Sequence, residues 1–321
     1  MKAVVTGGNG FIGRRLINLL AAKNHSVSVL TRNLKADFPS GIQVVTGDLV
    51  AEKGIDDAAI AACDVIFHCA GESNDLSLMR KLHVDGTRRL LTSAIRVATS
   101  RGRPIHWVQL SSVGAYGFPK ERTRVDCVIT ESTPEIPWGE YEVTKTESDR
   151  LVVEAAKSRA LTFSILRPSK VLGRDMRDQS LRALIKLVKK KMFFYIGRPG
   201  AIATYVHIDD VVAALLKCGT DARAQGQVYN LSNDCTLEEM ILGIATALGE
   251  RAPCIRLPEK LVRGIVGAVS SVISLPLTQE RIDGLVRRTK YSTAKIEGEL
   301  NYRASRSVPD AMRELVMEYC R

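Results

Sequence analysis

The sequence predicts an α/β protein built on a doubly wound parallel sheet, with a smaller, mostly helical C-terminal domain. Short runs rich in valine and isoleucine alternate with helical patterns of apolar residues through the first half of the chain. Such alternation indicates parallel strands, because each connection between strands then contains a helix that covers one face of the sheet. From residue 236 onward the pattern is mostly helical.

The strands are predicted from β-branched runs and the helices from apolar residues at helical spacing. Strands are expected at 3–6, 26–30, 42–46, 65–68, 105–110 and 163–166. Helices are expected at 11–23, about 55–62, about 79–99 and 141–157. A strand near 205–206, a helix at 209–217 and a strand at 228–231 are expected to return to the sheet.

This order of elements predicts two domains that meet across a cleft. The first comprises residues 1–170 with a returning segment of about 207–235, and the second comprises about 171–206 and 236–321. Open α/β sheets bind ligands at the carboxyl ends of their strands. We therefore expect the functional site above the strand ends, between the two domains.

The composition is that of a globular protein with a large core: 321 residues, 45% hydrophobic and 25% charged. The formal net charge of +11 fits either a solvated basic surface or attraction to phosphate-bearing ligands. The sequence contains no recognisable nucleic-acid-binding motif, so a small phosphorylated molecule is the favoured partner.

The cysteines and the apolar segments predict a cytoplasmic protein without a metal site or an integral membrane segment. The seven cysteines have neither CxxC nor zinc-ligand spacing. The first apolar stretch, 3–5, is too short for a secretory signal. The run 261–275 is shorter than the ~20 residues of a spanning helix. We expect it to be buried or at a subunit contact, with a membrane-surface helix as the alternative.

A glycine-rich turn follows the first strand and opens the first helix. Gly7, Gly10 and Gly13 lie within the sequence TGGNGFIG at 6–13. In a strand–turn–helix unit such glycines allow close backbone approach, and the free N–H groups of Phe11 and Ile12 face a pyrophosphate. The unit predicts a Rossmann-like dinucleotide-binding site.

Two later positions predict how the dinucleotide is recognised. An NAD-selective site usually has a carboxylate at the end of the second strand, but this chain has Arg32 there. Because arginine pairs with a 2′-phosphate, we expect NADP, with NAD as the alternative cofactor. After the third strand, Asp48 is expected to accept a hydrogen bond from the adenine amino group.

Tyr141, Lys145 and Ser112 form a candidate catalytic group. Tyr141 and Lys145 are one helical turn apart, about 5–6 Å between Cβ atoms, so we expect the ammonium to lower the tyrosine pKa. Ser112 ends an apolar strand and is expected to donate a hydrogen bond to a carbonyl oxygen. With the glycine turn, these residues predict hydride exchange between a nicotinamide and a carbonyl or alcohol carbon.

The order of motifs resembles the extended short-chain dehydrogenase/reductase family, which contains nucleotide-sugar epimerases, dehydratases and 4-keto reductases. The matching segments are TGGNGFIG at 6–13, GDL at 47–49, HCAG at 68–71, VDGT at 84–87, SSVGAYG at 111–117, YEVTK at 141–145, RPS at 167–169 and VHIDD at 206–210. The resemblance implies a homodimer formed through the helices at 79–99 and 141–157. It also implies that these residues line the cofactor: Leu49, Cys69, Ala70, Gly71, Pro168 and Ser169.

Three departures from the family pattern bear on the substrate. His83 replaces the usual asparagine, and Ser112-Val113-Gly114 lacks the acid pair of dehydratases, which argues against dehydration. Ala203 stands where many sugar-nucleotide epimerases have an arginine for the diphosphate. Candidate substrate contacts are therefore Tyr116, Arg198 and Arg281.

The favoured function is an NADPH-dependent reductase of a ketone, most plausibly a 4-keto nucleotide sugar. The preference depends on Arg32, since a cell keeps its NADP pool reduced. The alternatives are an NAD(P)-dependent nucleotide-sugar epimerase, a reductase of another small ketone such as a steroid-like or phenolic compound, and a non-catalytic NADP-binding regulator. Substrate specificity is expected to depend on 118–138 and on the region after Gly173.

Overall fold

The structure, a computed structural model, describes residues 1–33, 36–51, 55–117, 126–176, 179–269 and 277–319. The strands are β1 (Lys2–Thr6), β2 (Ser26–Thr31), β3 (Gln43–Thr46), β4 (Val65–His68), β5 (Ile105–Leu110), β6 (Cys127–Ile129), β7 (Leu161–Pro168), β8 (Lys170–Leu172), β9 (Tyr195–Ile196), β10 (Ile202–Ala203), β11 (Tyr205–His207), β12 (Gln227–Leu231), β13 (Cys235–Thr236), β14 (Arg256–Leu257) and β15 (Thr289–Tyr291). The α-helices are α1 (Phe11–Ala22), α2 (Leu76–Arg80), α3 (Thr87–Ser100), α4 (Glu140–Ala156), α5 (Gln179–Lys189), α6 (Ile208–Thr220), α7 (Leu237–Leu248), α8 (Glu259–Val269), α9 (Gln279–Val286), α10 (Ala294–Leu300) and α11 (Val308–Tyr319).

Seven parallel strands form the main sheet of the described chain, in the order β12-β7-β5-β4-β1-β2-β3. The chain first runs outward from β1 to β3 and then returns to β4 on the other side of β1. This reversal leaves a crevice between the carboxyl ends of β1 and β4, where such sheets bind ligands. The predicted Rossmann-like doubly wound sheet is confirmed.

Helices cover both faces of the sheet. On one face, Leu16 and Ile17 of α1 share a core with Val211 and Leu215 of α6. On the other face, α3 and α4 pack against β4 and β5, with Leu90 of α3 fully buried. Every residue of β4 and β5 is buried, as expected for strands covered on both sides.

The sequence-based boundaries differ from the structure in three places. The predicted helix at 55–62 is wrong: only the 3₁₀ turn Asp57–Ala59 forms there, and the Asp56 carboxylate accepts the N–H of Ala58 at its start. The predicted helix at 79–99 is continuous but contains a π-helical segment, Lys81–Gly86, between α2 and α3. The strand near 205–206 pairs with β8 and does not rejoin the main sheet, whereas β12 does so beside β7.

A second core lies outside the sheet, where α5, α7 and α11 pack together. Leu181 of α5, Met240 of α7 and Leu315 of α11 are buried there. Thr236 and Glu239 form a capping box that fixes the start of α7. The exact division into two domains stays a prediction.

The apolar run 261–275 begins in α8. Val262 and Val266 are buried against α9, while Leu261 and Ile265 on the opposite side are exposed. Residues 270–275 lie outside the described part of the chain. Among the described helices, none combines the length and hydropathy needed to cross a membrane.

Candidate active site

The glycine turn between β1 and α1 leaves no space for side chains at two of its glycines. Gly7 has φ +68, in the left-handed region, and its carbonyl accepts the N–H of Gly10 at 2.9 Å. A Cβ on Gly13 would lie 2.2 Å from the Gly7 oxygen. Gly10 caps α1 without a side chain, and the first helical turn has no acidic residue. The N-terminus of α1 is thus suited to an anionic phosphate group.

The end of β2 is tied to this turn. Asn9 Nδ2 donates to Thr31 Oγ1 at 3.0 Å, and the same oxygen accepts the N–H of Asn33 at 3.1 Å. Arg32, between these residues, is exposed. Asp48, after β3, accepts the N–H of Val50 at 2.8 Å. The adjacent Leu49 is buried, and its carbonyl accepts a hydrogen bond from an arginine of α3.

Cys69, Ala70 and Gly71 follow β4 and form the other side of the crevice. Thr6 Oγ1 accepts the N–H of Ala70 at 3.2 Å and bonds His68 Nδ1 at 2.8 Å. His68 Nε2 bonds a threonine of α3, so both ring nitrogens have partners. Burial lowers the pKa of His68 to about 3, so the ring is neutral and structural.

The candidate catalytic residues lie between α4 and the ends of β5 and β7. Ser112 follows β5, and its Oγ accepts the N–H of Gly114 at 3.0 Å. The Lys145 ammonium donates to the Leu110 carbonyl. One turn further along α4, Asp149 accepts from Ser111 Oγ at 2.6 Å, and it pairs with the buried guanidinium of Arg167 at 3.0 Å. These contacts hold α4 in register with the strand ends.

The electrostatic prediction for Tyr141 is wrong in direction. Burial, with smaller contributions from Glu142 and Asp149, raises the pKa of Tyr141 to about 12. Burial also lowers the pKa of Lys145. The largest cause of the raised Tyr141 pKa is the loss of solvation of the phenolate. In this structure Tyr141 carries its proton and is a hydrogen-bond donor at neutral pH.

His83 supports Tyr141 from the π-helical segment. Its ring meets the Tyr141 ring at 5.7 Å between centroids, edge to face. Nε2 accepts the backbone N–H of Glu72 at 2.9 Å, which places the ring proton on Nδ1, 2.8 Å from Thr144 Oγ1. Burial, and then the charge of Lys145, lower the pKa of His83 to about 3. His83 is therefore a neutral residue that connects Tyr141 to the loop after β4.

A single cleft of about 1270 Å³ contains most of the predicted site residues. The predicted residues that line it are Gly10, Phe11, Ile12, Gly13, Cys69, Ala70, Gly71, Ser112, Tyr141, Lys145, Pro168, Ser169 and Arg281. Gly7, Arg32, Asp48, Leu49, Tyr116 and Arg198 are not among its lining residues.

Two candidate substrate contacts lie elsewhere. Tyr116 is fully buried, with its hydroxyl donating to Asn230 Oδ1 at 2.8 Å and Arg167 lying 5.2 Å above its ring. It is a core residue because the 3₁₀ turn after Ser112 points it away from the cleft and under β12. Arg198 is exposed on the surface. Arg281 alone of the three lines the cleft.

The cleft also contains residues that the sequence analysis missed. Glu72, directly after the HCAG motif, lines the cleft and accepts the backbone N–H groups of Ser73 and Asn74, which lowers its pKa. The position of Glu72 directly after the HCAG motif could have indicated that it lies at the site. The apolar wall formed by α5, α7 and α9 has no motif that marks it. Among the described residues, no cluster of three or more metal-ligating side chains is present.

Comparison with known proteins places the chain in a family. The sequence model of the NAD dependent epimerase/dehydratase family matches residues 3–232. The chain belongs to this family. Its members are NAD(P)-dependent oxidoreductases and epimerases of the extended short-chain dehydrogenase/reductase type, as the motifs predict.

Two relatives show how varied the substrates of this epimerase/dehydratase family are. The 4-hydroxy-2-methyl-3-oxo-4-farnesyl-3,4-dihydroquinoline-1-oxide ketoreductase of Stigmatella aurantiaca is 28% identical, over 74% of this chain and 70% of that protein. The decarboxylating sterol-4-alpha-carboxylate 3-dehydrogenase of Mus musculus is 26% identical, over 99% and 91%.

The fold is shared with a solved nucleotide-sugar enzyme. The UDP-glucuronic acid 4-epimerase from Bacillus cereus, in complex with NAD, superimposes with a TM-score of 0.74 at 19% identity, covering 100% of this chain and 99% of that chain. At this identity the likeness shows the fold only.

Proposed function

We propose that this chain is an NADPH-dependent reductase of ketones. The observation that carries the proposal is the common cleft: Ser112, Tyr141 and Lys145 border the same space as the glycine turn at Gly10–Gly13. A proton donor, a hydrogen-bond donor and a phosphate-binding helix start are the parts that carbonyl reduction requires.

The residues around the crevice fit a dinucleotide. The turn before α1 can pack tightly only with glycine at position 13, since a Cβ there would lie 2.2 Å from the Gly7 oxygen. The N–H groups at the start of α1 would hold the diphosphate, and Arg32 the 2′-phosphate. Cys69, Ala70, Gly71, Pro168 and Ser169 would enclose the remaining cofactor. When bound, NADPH supplies the hydride.

The chain's own residues supply the proton and the polarisation. Tyr141 is protonated, so it can donate to the ketone oxygen as negative charge develops there. Ser112 donates a second hydrogen bond to that oxygen. The Lys145 ammonium would then stabilise the phenolate that remains, which a buried site would otherwise disfavour.

The reductase and the epimerase differ in their substrate and in whether the nicotinamide stays bound. The sequence motifs favour a 4-keto nucleotide sugar, and a UDP-sugar epimerase shares the fold. An epimerase must retain its nicotinamide through the cycle, whereas a reductase exchanges it. We further propose a cytoplasmic homodimer formed through the α2–α3 and α4 helices, which light scattering would test.

The deciding experiment is NADPH consumption by the purified chain. We expect oxidation of NADPH, followed at its near-ultraviolet absorbance, with at least one ketone from a panel of keto sugars, cyclic ketones and steroid ketones. Nicotinamide that stays bound through dialysis would favour the epimerase. NADP binding without turnover of any panel member would favour the non-catalytic regulator.

A further inference from the structure

We propose that the site takes a ketone on a bulky apolar skeleton, of polycyclic or prenylated size, and not a nucleotide sugar. The inference rests on the proposed function and specifies its substrate class. It is carried by the walls of the cleft beyond Tyr141, which belong to the second core.

The cleft beyond the catalytic residues has hydrocarbon walls. Leu181 and Leu184 of α5 form one side, and Phe193 and Phe194 form the next. Met240 of α7 and Leu285 of α9 also line the space. Three different helices therefore direct apolar side chains at the same volume.

These walls are fixed in place because they are continuous with the protein core. Leu181, Phe193 and Met240 are buried members of the core formed by α5, α7 and α11, and Leu184 packs against it. Phe193 is further held edge to face against Tyr195 at 5.1 Å. Sugar hydroxyls placed against such walls would lose their hydrogen bonds to water without replacement, at a cost of about 1–3 kcal/mol each.

The size and the rim of the cleft fit a large apolar ligand. The volume of about 1270 Å³ includes the crevice at Gly10–Gly13 and exceeds the usual range for one small ligand, about 300–1,000 Å³, so a substrate has room beside a cofactor. At the edge, Leu187 and Met192 are 40% and 62% exposed. They offer apolar surface to a ligand that enters.

Charged groups near the cleft define the competing hypothesis. Its described carboxylates, Glu72 and Glu142, are at the catalytic end. Besides Lys145, the basic residues that line the cleft are Lys170, Lys186, Lys190, Arg281 and Arg287. A nucleotide diphosphate would have to pair with these basic groups. Burial lowers the pKa of Arg287, which shows that its surroundings are poorly solvated. Because a diphosphate would pair with Arg287, replacing this arginine tests whether the site binds a diphosphate.

The test measures binding and turnover separately. Probes are a 3-ketosteroid, cyclohexanone and a UDP-4-keto-hexose, titrated by calorimetry into the full chain saturated with NADP, and assayed with NADPH. We expect the ketosteroid to bind at least about a hundredfold more tightly than cyclohexanone, because each buried methylene adds about 0.8 kcal/mol. Tighter binding of the UDP-keto sugar than of the ketosteroid would overturn the inference.

Matched variants test whether the ketosteroid binds against the apolar wall of the cleft. Leu184→Asn keeps the side-chain size but makes the wall polar, and it should weaken ketosteroid binding about tenfold. Leu242→Asn, on the exposed side of α7 and outside the cleft, should leave it unchanged. Phe194→Ala serves as a second wall variant if Leu184→Asn lowers NADP binding. Equal ketosteroid affinity in wild type and both wall variants would contradict the proposal.

The two proposals fail in different ways. Ketosteroid binding with no NADPH oxidation by any ketone of the panel would support the apolar site and contradict the reductase. Turnover of cyclohexanone without measurable ketosteroid binding would support the reductase and contradict the apolar site. A loss of UDP-keto-hexose turnover in Arg287→Ala that is much larger than its loss of ketosteroid affinity would favour the nucleotide sugar.

Discussion

The imidazole of His83 lies edge to face against the phenol ring of Tyr141, with centroids 5.7 Å apart and ring planes at 80°. His83 is held on both sides, by the N–H of Glu72 and by Thr144 Oγ1. The π-helical segment Lys81–Gly86 presents the ring toward α4. Such segments are frequent at functional sites, and here it positions the residue that orients the candidate proton donor.

His83→Ala should lower kcat about ten- to hundredfold, because Tyr141 loses its lateral support and small displacements of reacting groups are costly. His83→Asn, which restores the usual family residue and an acceptor, should lose less. His106→Asn is the control: His106 is a buried histidine that bonds Thr162 and the Cys218 carbonyl outside the cleft. The His106→Asn variant should lower Tm, and its kcat should stay close to that of the wild type. An unchanged kcat in His83→Ala would contradict the positioning role.

Tyr141→Phe should reduce ketone turnover by about 10²–10⁴-fold, because the proton donor is removed. The dissociation constant for NADPH should change less than about threefold. Tyr116→Phe is the matched control, since Tyr116 donates to Asn230 in the core and does not line the cleft. It should lower stability by about 1 kcal/mol with turnover retained. Comparable turnover losses in both variants would count against a catalytic role for Tyr141.

Acid should destabilise the fold through two buried histidines. The pKa values of His68 and His83 are lowered from 6.5 to about 3. Because the folded-state pKa is depressed, their contribution is present above pH 6.5 and is lost as the pH falls toward 3. Each should make the free energy of unfolding fall by about 1.4 kcal/mol per pH unit below pH 6. Urea titrations at several pH values should show a shallower dependence in His83→Asn, and an equal slope would refute this account.

Arg32→Asp should reverse the cofactor preference. The lost pairing with the 2′-phosphate should weaken NADPH binding about a hundredfold, and the new carboxylate should favour NADH. Arg313→Asp, an exposed arginine of α11 remote from β2, controls for the change in net charge. Wild-type preference for NADH in fluorescence titrations would refute the NADP assignment.

Gly13→Ala should abolish dinucleotide binding, because its Cβ would lie 2.2 Å from the Gly7 oxygen and force the turn open. Gly264→Ala is the opposite case. Gly264 is in α8 with nothing within 4 Å of an added Cβ, so alanine should stabilise the helix by about 0.5–1 kcal/mol. Thermal unfolding and NADPH titration measure both effects. Normal NADPH affinity in Gly13→Ala would contradict a role of the glycine turn in binding the dinucleotide.

Local patterns predicted the elements whose determinants are local. Val65–His68 and Ile105–Leu110 have the predicted bounds, because a buried parallel strand is a mostly apolar run that is recognisable locally. The helix predicted at 55–62 was wrong: the chain forms only a 3₁₀ turn there, which Asp56 caps at its start. The π-helical segment was not predicted, since its hydrogen-bond shift depends on packing between α2, α3 and α4.

The sequence by itself determined the doubly wound sheet, the glycine turn and the one-turn spacing of Tyr141 and Lys145. Each follows from the chemistry of residues close together in the chain. Only the tertiary structure decided that Tyr116 is core, that Tyr141 holds its proton and that the cleft has an apolar wall. These properties depend on which distant segments exclude water from a side chain, and burial of that kind arises from contacts that no local pattern encodes.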